Sequence, residues 1–261
     1  MEIKSEIEVF DRPHAVSLAE AKKNFLDTFL PWFIQEYNLR TSLDVGCGFG
    51  YFSRYLKDLG LEVFAFDGRP ENVKQARTKN PDINFEVDNM EDPSIVMRCG
   101  QFDLVICLGL IYHLENPFLA IRNLSSLTKK ICLIETIVSP SASSITTLIE
   151  EGEGIDQGLN YVAQVPSESW LVKVLHKADF RFIYETTKLP EHRDFYSSLL
   201  RKKTRKFIIA AKGSLSHPLL KEIHEPKKTN RYIWYSFGVG NLLEYEGIRG
   251  ALKLCAKLFR K

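Results

Sequence analysis

Along the first forty residues the apolar positions Leu18, Phe25, Leu26, Phe29 and Phe33 recur at helical spacing. This predicts one amphipathic helix over 15–37, kinked at Pro31. Beyond it, short apolar runs alternate with helical patterns. Ser42–Val45, Glu62–Phe66, Ile83–Val87, Leu104–Leu108 and Ile131–Thr136 each end in a turn or capping residue and predict buried strands. Tyr51–Leu59, Glu71–Lys79, Pro93–Arg98 and Pro117–Leu127 predict the helices between them, the last with Asn116 as N-cap and Pro117 in the first helical position. Such alternation argues for an α/β, doubly wound, mostly parallel sheet, which binds ligands at the carboxyl ends of its strands. The alternation breaks after Thr136. Ser139-Pro140-Ser141-Ala142-Ser143-Ser144 and Glu151-Gly152-Glu153-Gly154 belong to an irregular insertion at about 138–165. A helix (Ser167–Ala178) and two strands (Phe180–Glu185, Lys206–Ala211) then complete the sheet. The chain thus divides into an N-terminal helical cap (1–40), a main domain (41–212) and a C-terminal extension (213–261).

Composition alters this picture in one place. The 261 residues are 44% hydrophobic and 26% charged, ordinary globular values that exclude disordered and low-complexity classes. The net charge is +2, but 213–261 holds nine Lys/Arg against four Asp/Glu, so a +5 extension follows a body of −3. At helical spacing Arg249, Lys253, Lys257 and Arg260 share one face and Ile248, Leu252, Cys255 and Phe259 another. A basic amphipathic helix of this kind suits peripheral contact with an anionic membrane, a nucleic acid, or its own domain. The aromatic segment Arg231–Phe237 before it favours docking. Five cysteines without a CxxC pair fit free thiols in a reducing cytoplasm, at most peripheral to the inner face of a membrane. The N-terminus lacks an apolar signal core, and no apolar run approaches the ~20 residues that span a bilayer. His14, His176, His192, His217 and His224 show no ligand-like spacing, so no metal is expected.

The chemistry concentrates at the strand ends. Leu43-Asp44-Val45-Gly46-Cys47-Gly48-Phe49-Gly50 follows the first strand and opens the first helix of the alternation. Its glycines are spaced GxGxG, whereas a dinucleotide fingerprint is GxGxxG, which disfavours an NAD-dependent dehydrogenase. Asp44 would repel a diphosphate but suits a cationic amine. Asp67, ending the second strand, can accept both hydroxyls of a ribose. Asp88-Asn89-Met90, just beyond the third, can read an adenine edge. Together they describe a nucleoside joined to a cationic amino-acid tail, with no phosphate.

This constellation resembles the class I S-adenosyl-L-methionine (SAM)-dependent methyltransferases over Ser42 to about Lys212. It is carried by Asp44 to Gly50, Asp67, Asp88 and the fourth-strand stretch Phe102 to Leu114. The resemblance implies a Rossmann-like, seven-stranded sheet whose antiparallel seventh strand is Lys206–Ala211, and SAM as cofactor. By it, Gly46, Gly48 and Gly50, with Cys47 between them, lie against the methionine portion, and Asp44 near its amino group. Asp67 binds the ribose, Asp88 with Asn89 and Met90 the adenine, and Leu108 and Gly109 line the cofactor from below. A finer likeness, in Leu110 to Pro117, Glu135 to Val138 and Val165-Pro166-Ser167, is to the branch that includes tRNA wobble-uridine carboxymethyltransferases and methyltransferases of sugars and natural products.

Methyl transfer to a hydroxyl benefits from a general base, and His113, beyond the fourth strand, is the candidate. Tyr112 is positioned to pack on the sulfonium. Glu135, Asn160, Tyr161 and Trp170 are substrate-contact candidates, with the N-terminal helix and the insertion as lid and walls. Cys47 reads as packing, since the displacement needs no enzyme thiol. The leading expectation is an enzyme that methylates a hydroxyl of a small molecule, a saccharide or natural product. The alternatives are an RNA-modifying methyl- or carboxymethyltransferase, which the acidic body disfavours, and a non-catalytic cofactor-binding module. Nothing in the sequence addresses the oligomeric state.

Overall fold

The structure is a computed structural model that describes residues 10, 12–197 and 204–224. The basic extension beyond 224, with its aromatic segment, lies outside the described residues.

Two helices come first, α1 (Pro13–Asp27) and α2 (Leu30–Glu36). The chain breaks between them instead of kinking. Pro31 sits in the first turn of α2, where its missing N–H costs nothing, while inside one long helix it would collide with the carbonyl a turn earlier. The alternation then runs β1 (Thr41–Val45), α3 (Tyr51–Asp58), β2 (Glu62–Asp67), α4 (Pro70–Lys79), β3 (Asn84–Val87), α5 (Ile95–Cys99), β4 (Phe102–Leu108), α6 (Pro117–Leu127) and β5 (Thr128–Ile137). Asn116 caps α6, its side chain accepting the Leu119 N–H at 3.2 Å. Within the insertion the chain forms β6 (Thr146–Glu150) and β7 (Val162–Pro166), followed by α7 (Glu168–Lys177), β8 (Phe182–Thr186), β9 (Arg205–Ala211) and β10 (Leu220–Glu222).

The main sheet has eight strands in the order β3-β2-β1-β4-β5-β9-β8-β10. The first five are mutually parallel, and β9 lies antiparallel between β5 and β8. The count exceeds the expected seven because β10, from the stretch assigned to the C-terminal extension, pairs with the edge of β8. The order reverses between β2-β1 and β1-β4, the switch point at which open α/β sheets hold ligands.

Alternate residues of each central strand feed two cores. On one face Leu104, Ile106, Ile131, Leu133, Phe207 and Ile209 meet α1 to α4. On the other Val105, Cys107, Cys132, Ile134, Ile208 and Ala210 meet α5, α6 and α7. This period-two pattern, buried on both sides, explains why the strands read as continuous apolar runs. The insertion expected to be irregular holds an antiparallel ribbon, β6 on β7, with Thr146 opposite Pro166 and Glu150 opposite Val162. The Gln164 N–H donates to the Leu114 carbonyl at 2.9 Å and the Gln164 side chain to that of Glu115 at 2.7 Å. These bonds seat the ribbon on the turn after β4.

The N-terminal helices are anchored by aromatic packing. Phe29 lies with its ring centroid 5.3 Å from Phe25, 5.1 Å from Phe33 and 6.4 Å from Phe207 of β9. Phe29 is essentially fully buried. Phe29→Ala should destabilise the fold by about 3–5 kcal/mol, read as a lower urea midpoint with an unchanged slope.

Candidate active site

The turn from β1 to α3 is built from three left-handed glycines, Gly46 (φ 71°), Gly48 (φ 52°) and Gly50 (φ 81°). At Gly50 a Cβ would lie 2.8 Å from Asn80 Nδ2 and 2.9 Å from the Phe85 ring, so backbone angle and space both demand glycine. Backbone bonds lock the turn against β2. The Gly46 and Cys47 N–H groups both donate to the Phe66 carbonyl, at 2.9 and 3.1 Å, and Gly48 N–H donates to Asp67 Oδ2 at 3.0 Å.

This loop borders a cavity of about 1250 Å³ at the carboxyl ends of the parallel strands. Gly46, Cys47, Gly48, Gly50, Asp67, Asp88, Asn89, Met90, Leu108 and Gly109 all line it, as do Tyr112 and His113. Asp67 Oδ1 also accepts Arg69 N–H at 2.9 Å and Asn72 Nδ2 at 3.1 Å, which fixes the carboxylate at the cavity edge. Asp88 is gripped by Arg98, whose Nε lies 2.9 Å from Oδ2, and accepts Asn89 N–H at 2.8 Å. Burial first, then the Asp44 and Asp67 charges, push the Cys47 thiol up, which suits a packing role.

Asp44 is the cofactor candidate that stands off the wall. It is buried and its Oδ2 accepts the Ser53 hydroxyl at 2.6 Å. Burial pushes its carboxyl up to about 7, against the Ser53 bond and with help from Asp67.

On the opposite wall, a short helical turn (Ile111–His113) follows β4. His113 Nδ1 lies 2.6 Å from Glu151 Oε1, and the other Glu151 oxygen accepts Gly158 N–H at 2.6 Å. A side chain at Gly158 would run into the His113 carbonyl, so glycine lets the insertion close over the turn. Burial pulls His113 below the ordinary imidazole value of 6.5, against the Glu151 carboxylate, which raises it. Arg69 holds the same loop from the far side, donating to the Gln157 carbonyl at 3.2 Å and the Gly158 carbonyl at 2.8 Å.

None of the four substrate candidates is on the cavity wall. Glu135 is fully buried, with Oε2 2.5 Å from Lys22 Nζ and Oε1 2.8 Å from Arg205 Nη1. Burial alone would raise its carboxyl, but these two cations hold it below the ordinary value. Trp170 starts the helix on the other face of the sheet and packs on Phe118, because α7 turns its apolar side to α6. Asn160 donates to Glu115 at 2.8 Å, and Tyr161 is exposed at a left-handed position (φ 58°). The ribbon turns Ile149, Glu151, Gly158, Leu159 and Val165 to the cavity instead. Sequence reasoning missed Glu151, Lys22, Arg205 and Arg69. Their pairings span long separations and leave no local period, and the glycines beside Glu151 were the one available signal. The reading of the histidines also changes, since His14, His192 and Asp194 stand within 4.8 Å of one another.

Residues 43–132 match the family model described as "Methyltransferase domain". The match to a methyltransferase domain thus covers about a third of the chain. "Ubiquinone biosynthesis O-methyltransferase" of Xanthomonas axonopodis pv. citri is 37% identical over 91 residues, 33% of this chain and 38% of that relative. The match thus spans about two-fifths of the relative's length. The methyltransferase fold extends further. The N-terminal domain of EvdMO1, solved with SAH bound, superposes with TM-score 0.55 and 18% identity over 74% of this chain and 79% of that one. Magnesium protoporphyrin IX methyltransferase from Synechocystis PCC 6803, with bound SAM, does so with TM-score 0.54 and 18% identity over 80% and 90%.

The buried acid of the methyltransferase domain has a measurable signature. The folded value of Asp44 lies above its ordinary 3.8, so the folded state keeps a proton that the unfolded chain has lost. The stability it contributes is complete below about pH 4 and is lost as pH rises through 7. Asp44→Asn retains an acceptor for Ser53 without the titration. Its unfolding free energy relative to wild type should therefore rise by up to about 1.4 kcal/mol per pH unit between pH 4 and 7. A pH-independent difference in urea unfolding would contradict the assignment.

Proposed function

We propose that the protein transfers a methyl group from SAM to a hydroxyl of a small molecule, with His113 accepting the hydroxyl proton and Glu151 orienting its ring. The observation that carries this reading is the His113–Glu151 pair on the same cavity that the glycine loop lines. With Nδ1 committed to Glu151, the lone pair available to a substrate is on Nε2. Burial keeps the imidazole neutral near pH 7, the form that can take a proton.

The residues present fit the cofactor: a turn of three left-handed glycines, with no room for a Cβ at Gly50, and two strand-end carboxylates on one cavity. The Gly46–Gly50 backbone would hold the amino-acid portion, Asp67 the ribose, and Asp88, Asn89 and Met90 the adenine. When bound, SAM supplies an electrophilic methyl on a sulfonium, whose sulfur departs neutral. What this chain adds is alignment and proton removal. Lys22 and Arg205 satisfy Glu135 and leave the proton-accepting role to His113. The acceptor wall includes Leu18, Ala19, Ile137, Ile149 and Val165, an apolar lining that favours the natural-product end of the expected acceptors over a saccharide. α1 and the β6–β7 ribbon act as lid and wall.

Calorimetry with SAM should show binding by the wild type and clear weakening in Asp67→Ala. Methyl incorporation from labelled SAM into a panel of hydroxylated small molecules should exceed that into tRNA. In His113→Ala, kcat should fall by roughly 10²–10⁴ while SAM affinity is kept. The acid limb of the wild-type rate profile should lie below pH 6.5, and Glu151→Gln should move it lower still, since the carboxylate that raises the imidazole is gone. A variant of His113 that retains full kcat would overturn the base assignment.

A further inference from the structure

The geometry points to a divalent transition-metal site, of the zinc class, formed by His14, His192 and Asp194 and clamping the lid helix to the β8–β9 connection. His14 is in the first turn of α1, and His192 and Asp194 flank a short helical turn (Arg193–Phe195) between β8 and β9. Both imidazoles converge on a single carboxylate oxygen. His14 Nε2 lies 3.3 Å and His192 Nδ1 3.6 Å from Asp194 Oδ2, with the two rings edge to face at 5.1 Å. These separations lie beyond the 2.7–3.2 Å usual for N–H···O hydrogen bonds. Two donor atoms each about 2.1 Å from one ion at a tetrahedral angle stand about 3.4 Å apart, so the contacts match ligands of a common cation.

The donor set is chemically suited. Two imidazole nitrogens and one carboxylate oxygen form a three-ligand set that zinc-class ions accept, leaving a fourth position for water. His192 Nδ1 accepts the Asp194 N–H at 3.3 Å, a long bond that aims its lone pair into the same corner and that an ion would displace. His192 and Asp194 are buried whereas His14 is about half exposed, which gives an ion a path in. The Arg205 Nε is 3.6 Å from Asp194, but its Nη1 is on Glu135, so Arg205 keeps a carboxylate partner when Asp194 serves an ion. His14 also lines the cavity, so the ion would fix the acceptor-side end of α1 in place. The site is independent of the methyl-transfer reading, and its test does not use activity.

The full-length chain, stripped with a chelator and dialysed, is titrated with Zn²⁺ by calorimetry and with Co²⁺ by visible absorption. The expected result is one ion per chain, a four-coordinate cobalt spectrum, and a melting temperature that rises with free Zn²⁺. Affinity should drop by roughly tenfold or more in His14→Ala and in His192→Ala, and stay unchanged in His224→Ala, whose ring is exposed elsewhere. Since His14 is half exposed, its variant folds even if the His192 variant does not. Absence of stoichiometric binding, or equal affinity in wild type and His14→Ala, overturns the site.

Discussion

Glu135 is a carboxylate with no access to water, and most of the acceptor side is arranged to satisfy it. It lies near the carboxyl end of β5, where Lys22 reaches it from α1 and Arg205 from β9. Arg205 also lies over the Tyr112 ring, 5.5 Å from its centroid. One buried charge therefore joins the lid helix, two strands and the turn that carries His113. Taking such a charge out of water costs several kcal/mol unless it is fully paired, and removing one partner of a buried pair typically costs about 3–5 kcal/mol. The N-terminal helix is thus fixed to the sheet by electrostatics as well as by Phe25 and Phe29.

The two sides of the cavity are built on different principles. The glycine-loop side is backbone architecture, with Asp67 accepting the N–H groups of Gly48 and Arg69 and aligning the β1 and β2 ends. The opposite side is made by side chains that meet from distant segments. Glu151 comes from the ribbon, His113 from the turn after β4, and Lys22 from α1. The first needs only local geometry to form, and the second needs the tertiary fold to be complete.

That difference explains what could be read beforehand. The five parallel strands, the helices between them and the Asn116 cap were legible because doubly buried strands are continuous apolar runs ending in polar residues. The glycine-loop side of the cavity was legible for the same reason, since Gly46 to Gly50, Asp67 and Asp88 sit at fixed offsets from those strands. β6 and β7 were obscured by flanking serines and glycines, and three-residue β10 is too short to carry a period. The acceptor side was read by proximity in sequence, which favoured Asn160, Tyr161 and Trp170. Pairing across the ribbon turned neighbouring positions inward instead, and no period announces an ion pair between Lys22 and Glu135.

The contact between Gly158 and the His113 turn ties access to reactivity. The Glu151 that holds the imidazole also closes its own loop through the Gly158 N–H, so lifting that loop away from the turn would strip the ring of its orienting carboxylate. One carboxylate thus makes both the contact that closes the loop and the contact that orients the ring. Under the proposed reading, the site would be set for proton removal only while the loop is seated.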